Sequence, residues 1–260
     1  MPTVVGLTMT PVKATRLHVV ESLALGPEGV LENRRFYVID DRDRMINSKI
    51  AGELQTVIAD YSHADRTLRL TLPDGRVVED EIRLGSEVDT RFFSTQRKGR
   101  LVEGPWSDAL SAVVGRPLRL VEPNSPGAGV DRGAGGAVSL ISRASLARLA
   151  EVGDVESLDP RRFRMLIEIE GVDAHAEDRW VDDGSVRIGE AVVAFTGHVG
   201  RCLITSRDPD TGVVDVPTLD ILGSYRGGIE TTEPLPFGVW GRVVSPGTVR
   251  VGDQVAPLAG

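Results

Sequence analysis

Short runs of alternating apolar and polar residues recur through the N-terminal part of this chain and predict a protein built mainly of β-strands. The clearest runs are Thr3–Thr10, Arg35–Asp40, Thr67–Leu72 and Val77–Arg83. They are rich in the β-branched and aromatic residues that favour strands. Turn-forming groups separate them, among them Pro73-Asp74-Gly75. A new strand about every ten residues is the spacing typical of an all-β barrel.

Three stretches break this rhythm and predict short helices. In Pro105–Val114 the apolar residues recur at helical spacing, with Ser107 as a candidate N-cap and Gly115 as the residue that ends the helix. The other two are Ser142–Ala150, with its first residue as the N-cap, and Leu219–Tyr225. We therefore expect a mainly β protein with a few short helices.

The C-terminal part returns to strands. Val186–Ile188 and Ala191–Phe195 flank a turn, and Phe237–Val244 and Thr248–Val251 are the last strands predicted. Pro123–Gly136 is rich in proline and glycine, which is typical of a linker or an active-site loop. We place a domain boundary at its start, so that residues 1–122 and 123–260 form two domains.

Composition narrows the classes of partner and compartment. The chain has 260 residues, a net charge of -8 and no strongly basic stretch, which argues against a nucleic-acid-binding protein. No apolar run approaches the roughly 20 residues that span a bilayer, and the N-terminus lacks the pattern of a signal peptide. The single cysteine cannot form an internal disulfide. We expect a cytoplasmic protein without a membrane or nucleic-acid partner.

The single cysteine, Cys202, lies between the strand Ala191–Phe195 and the turn-forming group Asp208–Gly212. It is either a packed core residue or a working thiol, and composition alone favours packing. A neighbouring arginine, Arg201, would favour a thiolate. His198, four residues upstream, would share a strand face with Cys202 and could act as a base, or it could be a structural residue.

The residue pattern neither establishes nor excludes a site for a metal or an anion. None of the four histidines forms an HxxxH or HxH pair, so no zinc-site spacing exists. A single-thiolate site for a metal whose other ligands come from a cofactor is still possible. Several basic residues either bind a phosphate or another anion or are solvated surface residues. They are Lys13, Arg34-Arg35 and Arg161-Arg162 with Arg164. No nucleotide-binding glycine loop or serine elbow is present.

Several motifs together resemble one family over nearly the whole chain. These are TPVKA at Thr10–Ala14, NRRFYVID at Asn33–Asp40, RRFRMLIEIEG and AEDRW at Arg161–Gly171 and Ala176–Trp180, RCLITSRDPDTG at Arg201–Gly212, PTLDILGSYR at Pro217–Arg226 and SPGTVRVGD at Ser245–Asp253, the last as a closing hairpin. The pattern resembles the MOSC domain (molybdenum cofactor sulfurase C-terminal) preceded by its N-terminal β-barrel domain. It is most similar to the mitochondrial amidoxime-reducing component and its bacterial counterparts. Ala14 and Gly200 stand where some relatives have serine.

This resemblance implies two barrel-like domains and a molybdenum–pterin cofactor. The motif cysteine of the family ligates molybdenum, and it falls on Cys202. The cations that bind the pterin or its phosphate fall on Lys13, Arg35 and Arg164. Arg201 and Thr205, beside the cysteine, are expected to contact the cofactor as well. His198 and Asp208 are candidate catalytic proton donors near the metal.

The resemblance implies an oxidoreductase that reduces small N-hydroxylated molecules. The chain has no cysteines for an iron–sulfur cluster of its own, so the electrons are expected to come from a separate flavin, iron–sulfur or b-type cytochrome protein. One alternative is a sulfur carrier that uses a persulfide on Cys202. Another is a module that binds or stores the cofactor without catalysis.

Overall fold

The computed structural model describes residues 1–125, 133–181, 184–231 and 233–258, and it confirms a mainly β architecture with a few short helices. The strands of the N-terminal part are β1 (Thr3–Met9), β2 (His18–Val19), β3 (Ser22–Leu25), β4 (Tyr37–Ile39), β5 (Met45–Ile46), β6 (Ile58–Ser62), β7 (Thr67–Thr71), β8 (Val77–Glu81), β9 (Arg83–Phe92), β10 (Thr95–Glu103) and β11 (Arg119–Pro123). Those of the C-terminal part are β12 (Val138–Ser142), β13 (Ile167–Glu170), β14 (Ser185–Ile188), β15 (Ala191–Gly200), β16 (Pro236–Ser245), β17 (Gly247–Arg250) and β18 (Val255–Leu258). The helices are α1 (Trp106–Val114), α2 (Arg143–Val152) and α3 (Thr218–Arg226).

The largest sheet has eight strands in the order β18-β14-β15-β16-β12-β13-β1-β2. Its pairs are antiparallel except β12 with β13. The first strand of the chain therefore lies inside a sheet made mostly of C-terminal strands. Leu7 stands opposite Ile167 in this pairing, and both side chains are fully buried in the same core. Strand pairing therefore joins residues from both sides of the predicted boundary between residues 122 and 123. The division of the chain into two domains remains a prediction.

Strands β4 to β11 form a five-stranded sheet, β5-β4-β11-β10-β9, and a three-stranded sheet, β6-β7-β8. Helix α1 closes their core with the buried Trp106, whose indole Nε1 donates to the carbonyl of Leu68 at 2.9 Å. The hairpin β9–β10 lies outside the predicted elements. Most of its side chains are exposed or half-buried, so no apolar alternation marks it in the sequence.

Three helix ends test the capping predictions. Ser142 caps α2 as predicted, because its side chain accepts the N–H of Ser145 at 3.1 Å. Gly115 ends α1 in the left-handed conformation, with φ of 75°. Ser107, by contrast, is not the N-cap of α1. Pro105 occupies that position, and the Ser107 hydroxyl accepts the N–H of Leu120 instead.

The closing hairpin expected from the sequence is wrong in its pairing. Strand β16 pairs with β15 and β12, whereas β17 pairs with β3 near the start of the chain. Val249 of β17 stands opposite Leu23, and both are buried in the main core. A last strand, β18, pairs with β14 and was not predicted.

The main sheet and the N-terminal sheets meet around the end of β15. This strand continues past Phe195 as far as Gly200, and Cys202 then begins a 3-10 turn at Leu203–Ser206. No helix within the described ranges is long and apolar enough to cross a membrane.

Candidate functional site

A cavity of about 400 Å³ lies where N-terminal and C-terminal residues face each other, and Cys202 is part of its wall. The N-terminal part contributes Thr8, Lys13, Ala14, Leu17, Asn33, Arg34, Asn47, Ser48, Lys49 and Phe93. The C-terminal part contributes residues that include Ser139, Arg162–Leu166, Val199–Cys202, Thr205, Glu233 and Trp240. A cavity of this size, with apolar walls and convergent polar groups, has the character of a small-molecule or cofactor site.

The cavity wall is rich in positive charge, whereas the chain as a whole is negatively charged. Among the described lining residues six are cationic and one is acidic, Glu233; the cations are Lys13, Arg34, Lys49, Arg162, Arg164 and Arg201. Two of the three lysines of the chain are in this set. Because the chain as a whole carries a net charge of -8, this concentration of cations is typical of a site for an anionic ligand.

Backbone conformation also singles out this wall. Four lining residues other than glycine, namely Ala14, Arg34, Phe93 and Arg164, have φ values of 79°, 51°, 56° and 53°. Such left-handed residues are uncommon, and they concentrate at ligand clamps and active sites where the surrounding structure holds them.

Cys202 is half-buried, and its backbone is fixed by the 3-10 turn that follows it. Its carbonyl accepts both the N–H and the hydroxyl of Thr205 at 3.1 Å. Thr205 is in turn paired with Thr218 of α3 at 2.6 Å between hydroxyl oxygens. Thr205 lines the cavity, and the hydroxyl bonds described for it fix the loop that carries the thiol.

Arg201 lines the cavity too, but its guanidinium fixes the protein around it. It donates to the carbonyl of Phe163 at 2.9 Å and, through Nε, to that of Phe237 at 2.8 Å. It also lies over the rings of these two residues, at 5.3 and 5.9 Å from their centroids. Nη2 is 3.1 Å from the sulfur of Met165. The side chain thus ties β16 to the turn before β13.

Lys13 and Arg164, two of the cations predicted to bind a cofactor, line the cavity. Lys13 is nearly buried, and its Nζ lies 5.2 Å from the centroid of the Phe92 ring. Arg164 follows the 3-10 turn Pro160–Phe163 and donates to the carbonyl of Thr15 at 2.8 Å. It therefore bridges the two parts of the chain.

The third predicted cation, Arg35, lies outside the described lining. Its guanidinium pairs with Glu122, a buried carboxylate on β11. The preceding residue, Arg34, lines the cavity instead and donates to the carbonyl of Arg164 at 3.0 Å. Arg34 is left-handed and ends a turn, so its side chain does not follow the alternation of an extended segment, and it lines the cavity where Arg35 was expected.

The two predicted proton donors also lie outside the described lining. His198 faces away from its neighbour Val199, which lines the cavity, and its Nε2 lies 3.8 Å from the Asp178 carboxylate. The pairing of β15 shifts register between His198 and Gly200. This irregularity invalidates a simple count of alternate residues from His198 to Cys202.

Asp208 holds the turn that follows. Its Oδ1 accepts the N–H groups of Asp210 and Thr211 and the hydroxyl of Thr211 at 2.8 to 3.1 Å. Partial burial alone would raise its pKa, but these hydrogen bonds and the nearby Arg162 lower the pKa below its ordinary value. An aspartate with a lowered pKa is ionised at neutral pH, so it suits a structural acceptor better than a proton donor.

Ser48 tests whether the cavity fits a ligand with anionic oxygens. This residue is fully buried and lines the cavity, yet its hydroxyl has no hydrogen-bond partner among the described residues. Buried hydroxyls are nearly always paired, so one in a cavity wall without a partner among the described residues is suited to a hydrogen bond with a bound molecule. A donor hydroxyl next to Lys49 suits a phosphate or another oxyanion. Sequence reasoning missed Ser48, Lys49 and Glu233, since nothing in their local pattern marks them.

Two models of known protein families match the chain. Residues 129–256 match the MOSC domain, and residues 1–117 match the MOSC N-terminal beta barrel domain. The chain belongs to the MOSC proteins that carry this N-terminal domain.

Among curated proteins the chain is similar to mitochondrial amidoxime-reducing components. It is 35% identical to component 1 of Homo sapiens over 123 residues, which are 45% of this chain and 35% of that protein. It is 28% identical to component 1 of Xenopus laevis over 280 residues, covering 96% of this chain and 80% of that protein. The match therefore spans about a third of the human relative. Among solved structures, the YUAD protein from Bacillus subtilis superposes with a TM-score of 0.43 at 11% identity, covering 98% of this chain and 94% of that one.

Proposed function

We propose that this chain binds a molybdenum–pterin cofactor in the cavity and reduces small N-hydroxylated compounds with electrons from a separate redox protein. The observation that carries the proposal is the cavity itself. It combines the single thiol of the chain with six cations and an unpaired buried hydroxyl. This set matches a cofactor that brings one metal needing a soft sulfur ligand and an anionic pterin phosphate.

The residues divide between the two ends of such a cofactor. Cys202 is the metal ligand, because its sulfur lies on a half-buried, backbone-fixed loop at the cavity wall. Lys13, Arg34 and Arg164 hold the phosphate and the pterin by charge, and the Ser48 hydroxyl donates to an anionic oxygen. Arg201 and Thr205 act on the cofactor by fixing the walls and the thiol loop.

The reaction consumes two electrons and two protons for each N–O bond broken, and it releases the reduced nitrogen compound and water. When bound, the cofactor supplies the two-electron exchange. The chain orients the substrate beside Cys202 and limits the access of water, since the cavity is bounded by the apolar groups of Leu17, Phe163 and Val199.

A separate electron donor follows from the cysteine content. Iron–sulfur clusters in proteins are held mainly by several cysteine thiolates, whereas this chain has one cysteine. The names of the relatives support the substrate class, because they are described as amidoxime-reducing.

The test is metal analysis of the purified protein together with reduction of benzamidoxime by a chemically reduced viologen dye. We expect close to one molybdenum per chain and measurable reduction, with both lost in Cys202→Ala. The matched control is Thr196→Ala, an exposed residue on the same strand, which should retain both. A metal-free wild-type protein that carries a trappable persulfide on Cys202 would overturn the proposal in favour of a sulfur carrier.

A further inference from the structure

The tip of the hairpin formed by β9 and β10 reaches the cavity. Strand β9 ends at Phe92 and β10 begins at Thr95, and these two residues pair, so that a two-residue loop beginning with Phe93 joins the strands. Phe93 lines the cavity and is 54% exposed. The other aromatic residues of the described lining, Phe163 and Trp240, are buried or half-buried. Phe93 therefore presents an apolar surface at the open edge of the cavity.

The backbone at this position is unfavourable for phenylalanine. Phe93 has a φ of 56°, in the left-handed region that a bulky side chain rarely adopts. Two-residue hairpin loops favour glycine, asparagine or aspartate at such a position. Strained residues of this kind cluster at ligand clamps and active sites. Because the Phe93 side chain is strained and yet mostly exposed, packing of the core does not explain why a phenylalanine stands here.

The preceding residue, Phe92, anchors the tip. Its ring is 1% exposed and packs edge-to-face against Tyr37, with 5.4 Å between the ring centroids. The guanidinium of Arg97 and the Nζ of Lys13 lie 4.1 and 5.2 Å from the centroid of the same ring. Phe93 contacts Phe92 with 5.5 Å between centroids. The exposed ring is thus held at the cavity by a buried neighbour, which limits the entropy lost when a ligand binds against it.

We propose that Phe93 is a specificity-determining residue that contacts the planar aromatic group of a ligand at the edge of the cavity. Aromatic rings attract one another in offset-stacked and edge-to-face arrangements, beyond the effect of burying apolar area. The site therefore selects aromatic ligands over saturated ligands of similar size. As a statement about substrates this rests on the proposed function, and it assigns aromatic N-hydroxylated compounds to the cavity.

The test is a ligand-observed NMR titration of the protein as purified with benzamide and with cyclohexanecarboxamide, two neutral amides that differ in the ring. We expect wild type to bind benzamide more tightly. This preference, the ratio of the two Kd values, should fall about fivefold in Phe93→Leu, which corresponds to about 1 kcal/mol. Leucine keeps an apolar side chain, so the change isolates the aromatic ring. Phe93→Tyr restores the ring and should retain the preference.

The matched control is Ser94→Ala, the exposed second residue of the same loop, which lies outside the described lining and should keep the wild-type preference. Phe93→Gly separates binding from packing. Glycine removes the ring and relieves the left-handed backbone, so the preference should be lost while the melting temperature stays at or above that of wild type. A lower melting temperature in this variant would make Phe93 a packing residue and would overturn the inference.

The preference itself decides the remaining outcomes. An unchanged preference in Phe93→Leu would overturn the inference, as would a wild type that binds both amides equally or binds neither. Neither amide has an N–O bond to reduce, so the titration does not depend on turnover. A molybdenum-free wild type whose preference depends on Phe93 would support this contact while removing the proposed function. A molybdenum-containing protein that reduces benzamidoxime but whose preference is independent of Phe93 would remove this inference alone.

Discussion

Replacing Arg201 by methionine tests whether this arginine stabilises the fold or only binds a cofactor. The guanidinium is buried and donates to two backbone carbonyls, those of Phe163 and Phe237. Methionine keeps an unbranched side chain that can pack between the two aromatic rings, so the change removes the donors and the charge more than the volume.

The expected loss follows from the two carbonyls. Leaving a buried acceptor without a partner costs about 1–3 kcal/mol, so two of them give about 2–6 kcal/mol. Removing the buried charge also removes the cost of its desolvation, which favours the lower half of this range. We therefore expect about 2–4 kcal/mol. At about 2–4 °C per kcal/mol for a chain of this size, the melting temperature should fall by about 4–16 °C.

The assay is thermal and urea unfolding of Arg201→Met beside wild type and Arg148→Met. Arg148 is exposed and pairs with Glu151 at 2.6 Å, and an exposed pair contributes about 1 kcal/mol or less. Molybdenum is measured for each folded sample and should stay near the wild-type level in both variants. If Arg201→Met unfolds like the control but loses its metal, the arginine is a cofactor contact and the reasoning is refuted.

Two further predictions concern titratable residues. His175 packs against Tyr225 and Phe237, and burial, aided by the charge of Arg226, lowers its pKa from 6.5 to about 4. The unfolded chain therefore binds a proton that the folded chain does not, so stability is complete above pH 6.5 and is lost as the pH falls towards 4. The full shift corresponds to roughly 3 kcal/mol, or about 1–2 kcal/mol after discounting for partial exposure. Urea unfolding at pH 7 and pH 4.5 should show a smaller acid loss in His175→Leu than in wild type, and equal losses would contradict the assignment. Asp208→Ala removes the acceptor for Thr211 and should cost about 1–2 kcal/mol without lowering the molybdenum content; a metal-free variant of normal stability would instead place Asp208 at the cofactor.

The structural features that could be predicted from the sequence are those that depend on residues close to one another in the chain. The cap of α2 is local, since Ser142 bonds an N–H three residues along. The left-handed end of α1 depends on Gly115 alone. The hairpin β9–β10 could not be predicted in this way, because few of its side chains are buried.

In the candidate site, too, some residues could be predicted from the sequence and others could not. Cys202 is conspicuous as a lone thiol, and Lys13 and Arg164 as basic points in an acidic chain. The place of Arg34 in the cavity wall could not be read from the sequence, because its left-handed position holds neither the glycine nor the asparagine that would mark it. Glu233 left no local signal, because its carboxylate is held by the N–H of Gly200, 33 residues away in the chain.

The sequence by itself determined the mainly β class, most of the strands and the identity of the single thiol, because alternation, turns and caps depend on residues close in the chain. Only the tertiary structure decided which strands pair, as with β1 beside β13 and β17 beside β3. It also decided which cations, hydroxyl and carboxylate surround Cys202. The strand pairs and the N-terminal residues of the cavity wall join segments more than a hundred residues apart. All of these relations depend on burial and packing that no local pattern encodes.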